Sequence, residues 1–121
     1  MARIVIIAEI GINHNGDMGL AKTLIVQAKE AGADVAKFQL YDVDSVFPSR
    51  QIIAQGKNWY EAVKKTQLSK EQAFSLAEYC RSLGIEFMAS AYDLERLSWL
   101  EEIGVTRHKI ATRMRNNPEF V

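Results

Sequence analysis

The chain has 121 residues, with 15 Lys and Arg balancing 15 Asp and Glu, 48% hydrophobic residues and a mean hydropathy of -0.12. Those values belong to an ordinary folded domain and exclude disordered, collagen-like and coiled-coil classes. Zero net charge gives no long-range attraction for nucleic acid or an anionic membrane, no apolar run approaches the ~20 residues of a bilayer span, and a lone Cys80 rules out an internal disulfide.

Taken in order, the chain alternates strand-like and helix-like segments. Residues 3–8, Arg3-Ile4-Val5-Ile6-Ile7-Ala8, form a β-branched run that predicts a strand buried on both faces. Gly11 to Gly16 is a polar loop bounded by glycines, after which Asp17 offers its carboxylate to the free N–H groups of a helix start. Leu20, Leu24, Ile25, Ala28 and Ala31 share one face of that helix, and Gly32 follows it as a C′ residue. Residues 33–39 predict the second strand.

Residues 40–68 are the least regular stretch, broken by Pro48 and Gly56, with a short helix suggested by Trp59, Tyr60, Ala62 and Val63. Ser69-Lys70-Glu71-Gln72 is a capping box, so a helix begins at Lys70. Its apolar face is Ala73, Leu76, Ala77, Cys80 and Leu83, and Gly84 ends it. A third strand is expected over 85–90. Asp93 caps a further helix that turns Leu97, Leu100 and Ile103 inward and stops at Gly104. A fourth strand is expected over 105–111.

The junction of helix, glycine and strand recurs at Gly32, Gly84 and Gly104. Repeated β-α units of this kind predict an α/β fold with a parallel sheet. No linker or low-complexity segment divides it, so residues 1–121 are expected to form a single unit of four strands.

In parallel α/β folds, the working residues lie at the C-terminal ends of strands. Glu9 ends the first strand, Lys37 and Gln39 the second and Ser90 the third, while Lys109 and Thr112 lie in or just beyond the fourth. Lys37 and Gln39 are two apart and so point to one face. A single charged residue at a strand end often does no more than meet water, but here all four strands agree. Two lysines with a serine and a threonine suit a phosphate or carboxylate, and an ionised Glu9 beside them suits proton handling or the orienting of a hydroxyl. His14 and His108 lack a nearby carboxylate or cysteine cluster and do not by themselves define a metal site. Cys80, Trp59, Tyr60 and Trp99 read as packing residues. Gly11 and Gly16 match neither a dinucleotide nor a P-loop fingerprint.

Ala8-Glu9-Ile10-Gly11-Ile12-Asn13-His14-Asn15-Gly16 closely resembles the opening of the sialic acid synthase family, which includes N-acetylneuraminate, legionaminate and pseudaminate synthases. Ala31-Gly32-Ala33-Asp34-Val35-Ala36-Lys37-Phe38-Gln39 resembles its second strand. Gly84-Ile85-Glu86-Phe87-Met88-Ala89-Ser90 and His108-Lys109-Ile110-Ala111-Thr112 are similar to its third and fourth. The resemblance implies a TIM (β/α)₈ barrel, of which about the first half is present. It also implies condensation of phosphoenolpyruvate with an N-acetylated amino sugar such as N-acetylmannosamine. Carried over by position, Glu9 is the acidic residue near the reacting carbons. Lys37 contacts phosphoenolpyruvate, Gln39 the sugar, Ser90 the neighbourhood of the enolpyruvate, and Lys109 with Thr112 the phosphate.

Many members of that family carry Gly-Glu after the hydroxyl residue of the fourth strand, where this chain has Arg113-Met114. The implied divalent metal, manganese or magnesium, is bound by histidines later in the barrel, so no ligands are expected in this chain. The expected setting is the cytoplasm, with phosphoenolpyruvate and an amino sugar as partners, no nucleic acid and no membrane. A half-barrel with unpaired strand edges also predicts association, as a homo-oligomer. Two further readings stand beside this one: a non-catalytic half-barrel that binds a phosphorylated ligand or sugar, and another phosphoenolpyruvate-dependent 3-deoxy sugar acid synthase.

Overall fold

In the computed structural model, which describes residues 3–121, two sheets are joined by five α-helices. The elements run β1 (Ile7–Gly11), α1 (Met18–Glu30), β2 (Val35–Leu40), α2 (Val43–Val46), β3 (Ile53–Ala54) and β4 (Lys57–Asn58). They continue with α3 (Tyr60–Lys64), α4 (Lys70–Leu83), β5 (Glu86–Ala91), α5 (Leu94–Ile103) and a 3₁₀ turn at Thr112–Met114. The main sheet is parallel, in the order β1-β2-β5, and β3 and β4 form a separate antiparallel hairpin.

The capping chemistry sets the helix ends. Asp17 accepts from the Leu20 N–H at 3.1 Å, and Asp93 from the Arg96 N–H at 2.7 Å. Ser69 and Gln72 exchange both bonds of the expected capping box. Gly84 and Gly104 close α4 and α5 in the left-handed region, where a side chain would clash with its own carbonyl.

One face of the sheet is packed against α1, α4 and α5. Ile10, Ala36, Phe38, Leu40, Phe87 and Ala89 meet Ile25, Leu76, Cys80 and Leu100 in a single core. Phe38 and Phe87 stack with ring centroids 5.7 Å apart. Burial pushes the Cys80 thiol up to about 12, so it remains a protonated, unreactive core group. Arg96 is buried in α5, paired with Asp93 at 2.9 Å and stacked 4.7 Å from the Trp99 ring.

Two expectations need correction. The first strand begins at Ile7 rather than Arg3, and Ile4, Ile6 and Ile7 are 83%, 55% and 44% exposed. β1 is the edge of the sheet and pairs with β2 alone, so it lacks a second neighbour to cover it among the described residues.

The fourth strand does not form: residues 105–111 have no ladder, and Thr106 to Ile110 are exposed. Among the described residues no further strand lies beyond it to complete a ladder, and two of its side chains bind other elements: Arg107 pairs with Glu86 at 2.9 Å and His108 with Glu101 at 3.7 Å.

The irregular stretch contains the hairpin β3–β4, whose central Gln55 and Gly56 both have positive φ, as the tight hairpin turn matching strand twist requires. A second apolar cluster, Tyr41, Val43 and Tyr60 with Phe47 and Val63, holds this excursion over the C-terminal ends of the strands.

Candidate active site

Residue alternation decides what the open face of the sheet presents. Val35, Lys37 and Gln39 lie on the opposite face of β2 from the core residues Ala36, Phe38 and Leu40. Register pairs Lys37 with Glu9 and Met88, and Gln39 with Ser90, so these side chains form neighbouring rungs at the strand ends. β1 slips by one residue between Glu9 and Gly11, leaving Ile10 as a bulge. Such a bulge re-aims side chains beside it; here Ile10 goes to the core while Glu9 stays on the open face.

The Lys37 ammonium donates to Glu9 Oε2 at 2.6 Å. Lys37 is 11% exposed and Glu9 49%, so the cation is anchored while the carboxylate reaches solvent. A half-exposed pair of this kind contributes about 0–1 kcal/mol to stability. Gly11 holds φ +57, and a Cβ placed on it would lie 3.0 Å from Glu9 Oε1 and 3.7 Å from Gln39 Nε2. Both functional groups therefore close around a bare α-carbon. Ser90 is buried on the next rung.

The structure brings Glu9, Lys37 and Gln39 together, with Ser90 adjoining. It does not bring Lys109 or Thr112 to them. Lys109 donates to the Ile110 carbonyl at 2.8 Å and lines a cavity under α5 with Ala89 and Ala91, which face away from Ser90. Thr112 is exposed in the 3₁₀ turn. Neither histidine joins the cluster.

His14 is fully buried against Phe38, and its Nδ1 accepts the Gly16 N–H at 3.0 Å. That bond leaves the proton on Nε2, which has no partner among the described residues. Burial lowers the His14 pKa below its ordinary value. The folded chain therefore keeps His14 neutral where the unfolded chain binds a proton. This contribution to stability is complete above the unfolded pKa of about 6.5 and declines as pH falls through it. Urea unfolding between about pH 7.5 and 5.5 should show stability falling with acidity, and His14→Leu should flatten that slope. An equal slope in the variant would assign it to another group.

The sequence reading missed the surroundings of Gln39. Tyr41 and Tyr92 follow the last residues of β2 and β5, and their rings meet edge to face 5.9 Å apart. The strand-end rule, extended one residue beyond each strand, would have found both. Burial pushes the Tyr92 phenol up, the Arg113 charge pulls it down and the Glu9 charge pushes it up. Arg113 stacks 5.4 Å from the Phe47 ring.

The NeuB family model matches residues 24–121. The chain is 41% identical over 113 residues to the N,N'-diacetyllegionaminic acid synthase of Legionella pneumophila, covering 87% of this chain and 32% of that protein. It is 37% identical over 119 residues to the N-acetylneuraminate-9-phosphate synthase of Homo sapiens, covering 93% of this chain and 33% of that one. Among solved structures, the N-acetylneuraminic acid (sialic acid) synthetase of Leptospira borgpetersenii superposes with a TM-score of 0.81 at 34% identity, over 93% of this chain and 38% of that one. The chain thus spans about a third of the length of the curated relatives it matches. Its parallel β-α units are those of the N-terminal part of an α/β barrel. Fold and sequence matches agree, and the chain belongs to the NeuB family.

Proposed function

We propose that the chain forms the N-terminal part of a barrel that condenses phosphoenolpyruvate with an N-acetylated amino sugar, giving a sialic-acid-type nonulosonic acid and phosphate. The observation that carries this is the Lys37–Glu9 pair beside Gln39, at the strand ends of a chain whose relatives include synthases of such acids. In the reaction, carbon 3 of the enolpyruvate bonds to the sugar aldehyde carbon and the aldehyde oxygen gains a proton. Water adds to carbon 2, and phosphate departs with the electrons of its bond to that carbon. The anchored Lys37 ammonium binds an anionic group of phosphoenolpyruvate. Glu9, half exposed beside it, orients the sugar or handles the proton at the new hydroxyl. Gln39 holds the sugar and Ser90 adjoins the enolpyruvate; Lys109 and Thr112 serve the phosphate once the fourth strand is paired.

A divalent metal, manganese or magnesium, would polarise the aldehyde. The described residues do not fit it: no group of three or more His, Cys, Asp and Glu side chains is placed to hold one, and His14 is buried with Nδ1 engaged. Its ligands would come from outside this chain. No helix among the described residues is long and apolar enough to cross a membrane, and a cytoplasmic homo-oligomer accords with a reaction on two soluble substrates.

The test is phosphate release by a complete barrel containing this chain, given phosphoenolpyruvate, N-acetylmannosamine and manganese. Release should require both substrates and yield a nine-carbon 2-keto acid, while the 121-residue chain alone releases none. Binding of both substrates without release would favour a non-catalytic module. A preference for a sugar lacking the acetamido group would favour another 3-deoxy sugar acid synthase.

A further inference from the structure

The proposed reaction makes no use of His14, although its ring is fully buried in the loop that follows Glu9 and Gly11. That ring lies against Phe38, on the core face of β2, whereas Lys37 and Gln39 occupy the open face. The sheet therefore stands between the imidazole and a substrate held at Lys37 and Gln39, and His14 can act there only through the backbone. The backbone around it is a series of turns. The Asn13 N–H and the Asn13 carboxamide both donate to the Ile10 carbonyl, at 3.0 and 2.9 Å. Ile10 is the bulged residue beside Glu9. The Asn15 N–H donates to the Ile12 carbonyl at 3.1 Å, and the Asp17 N–H to the His14 carbonyl at 2.9 Å. In that last turn Asn15 and Gly16 hold φ +54 and +78, the two positive values of a type I′ turn. A non-glycine residue keeps such a conformation only when its surroundings impose it. The bond from the Gly16 N–H to His14 Nδ1, at 3.0 Å, imposes it from inside the core. An apolar ring of similar size would fill the same space without burying the unpartnered Nε2–H. What the imidazole adds is the acceptor at Nδ1.

We infer that His14 is a positioning residue for Glu9: its Nδ1 fixes the turn at Gly16, and the turns carry that position back through Asn13 to the bulge at Ile10. This role rests on the proposed function and adds to it a residue that never touches substrate. Glu9 Oε1 lies close over the α-carbon of Gly11, where the turns begin, so a shift of the loop moves the carboxylate relative to Lys37 and Gln39. Lys37 is set independently, because β2 is laddered to a strand on each side. The signature of the role is therefore a loss of turnover with phosphoenolpyruvate binding retained.

The experiment uses a complete barrel containing this chain, as wild type, His14→Phe, His14→Asn and Asn13→Ala, with urea unfolding to establish that each is folded. His14→Phe keeps a ring and removes the acceptor, while His14→Asn keeps an acceptor in place of Nδ1. Asn13→Ala, at an exposed position, removes the side-chain bond to the Ile10 carbonyl. His14→Phe should lower kcat about tenfold with the KM for phosphoenolpyruvate within twofold, and His14→Asn should restore most of the loss. Asn13→Ala should lower kcat in the same selective way, and combining it with His14→Phe should cost less than the product of the two losses, because both cut one chain of contacts. Crystal structures of the same proteins need no catalysis: the Glu9 carboxylate should leave Lys37 in His14→Phe and return to it in His14→Asn. That displacement in a barrel without turnover would sustain the positioning role and remove the proposed reaction. Unchanged turnover in His14→Phe, equal losses in the two His14 variants, or lowered turnover with Glu9 still against Lys37 would overturn the role. If His14→Phe does not fold, a selective loss in Asn13→Ala beside near-wild-type turnover in His14→Asn sustains it, and the absence of either overturns it.

Discussion

Glu9→Gln in a complete barrel is expected to lower turnover by about 10²-fold or more while leaving phosphoenolpyruvate affinity nearly unchanged. The substitution keeps the volume of the side chain and removes its charge. Glu9 Oε2 now accepts from Lys37 at 2.6 Å, and a carboxamide oxygen can still accept that bond, so the local fold should hold. What disappears is an anionic group, half exposed on the open face, able to take or return a proton at the new hydroxyl. Lys37 provides the control on interpretation. If Glu9 served mainly to place Lys37, loss of its charge would loosen the ammonium and the affinity for phosphoenolpyruvate would fall with turnover. Separate measurement of KM and kcat distinguishes the two. Turnover within a factor of two of wild type would remove Glu9 from the chemistry altogether.

The elements best read from the sequence are those whose signals are local. Asp17, Ser69 with Gln72, and Asp93 each cap a helix, because a capping side chain needs only the three residues that follow it. The common face of Lys37 and Gln39 was legible for the same reason, since strand alternation is a property of consecutive residues. Features that depend on a neighbour were not. The β-branched run from Arg3 to Ala8 looks buried on both faces, yet burial needs strands on both sides and β1 has one. Residues 105–111 were expected to be a strand from their place in the β-α repeat, but a strand exists only as part of a ladder.

Within the site, the sequence places Glu9 and Lys37 each at a strand end, but their pairing follows from the β1–β2 register. The closure of Glu9 and Gln39 around Gly11 follows from a bulge that no local pattern announces. The cavity of about 180 Å³ beside Gln39 draws its lining from five segments far apart in sequence, including the stretch with the weakest periodicity.

Gly16→Ala is expected to be the most destabilising single-methyl change in the loop that follows β1. Gly16 holds φ +78, where an added side chain strains the backbone, and its Cβ would stand 2.0 Å from the Lys65 carbonyl oxygen and 3.0 Å from the carbonyl carbon. Those are backbone atoms at the end of α3, so no rotamer change relieves the overlap. Either the loop withdraws, breaking the Gly16 N–H bond to His14 Nδ1, or the excursion over the strand ends lifts with α3. Both responses expose buried surface, and the loss should be about 3 kcal/mol or more by urea unfolding. Gly56→Ala separates strain from contact. Its φ is +73, but nothing lies within 4 Å of the added carbon, so it should cost about 1 kcal/mol from conformation alone. The difference between the two variants measures the contact that seats the loop against α3. If both lose the same stability, the loop is not held there, and the positions of Glu9 and His14 must be secured by the sheet alone.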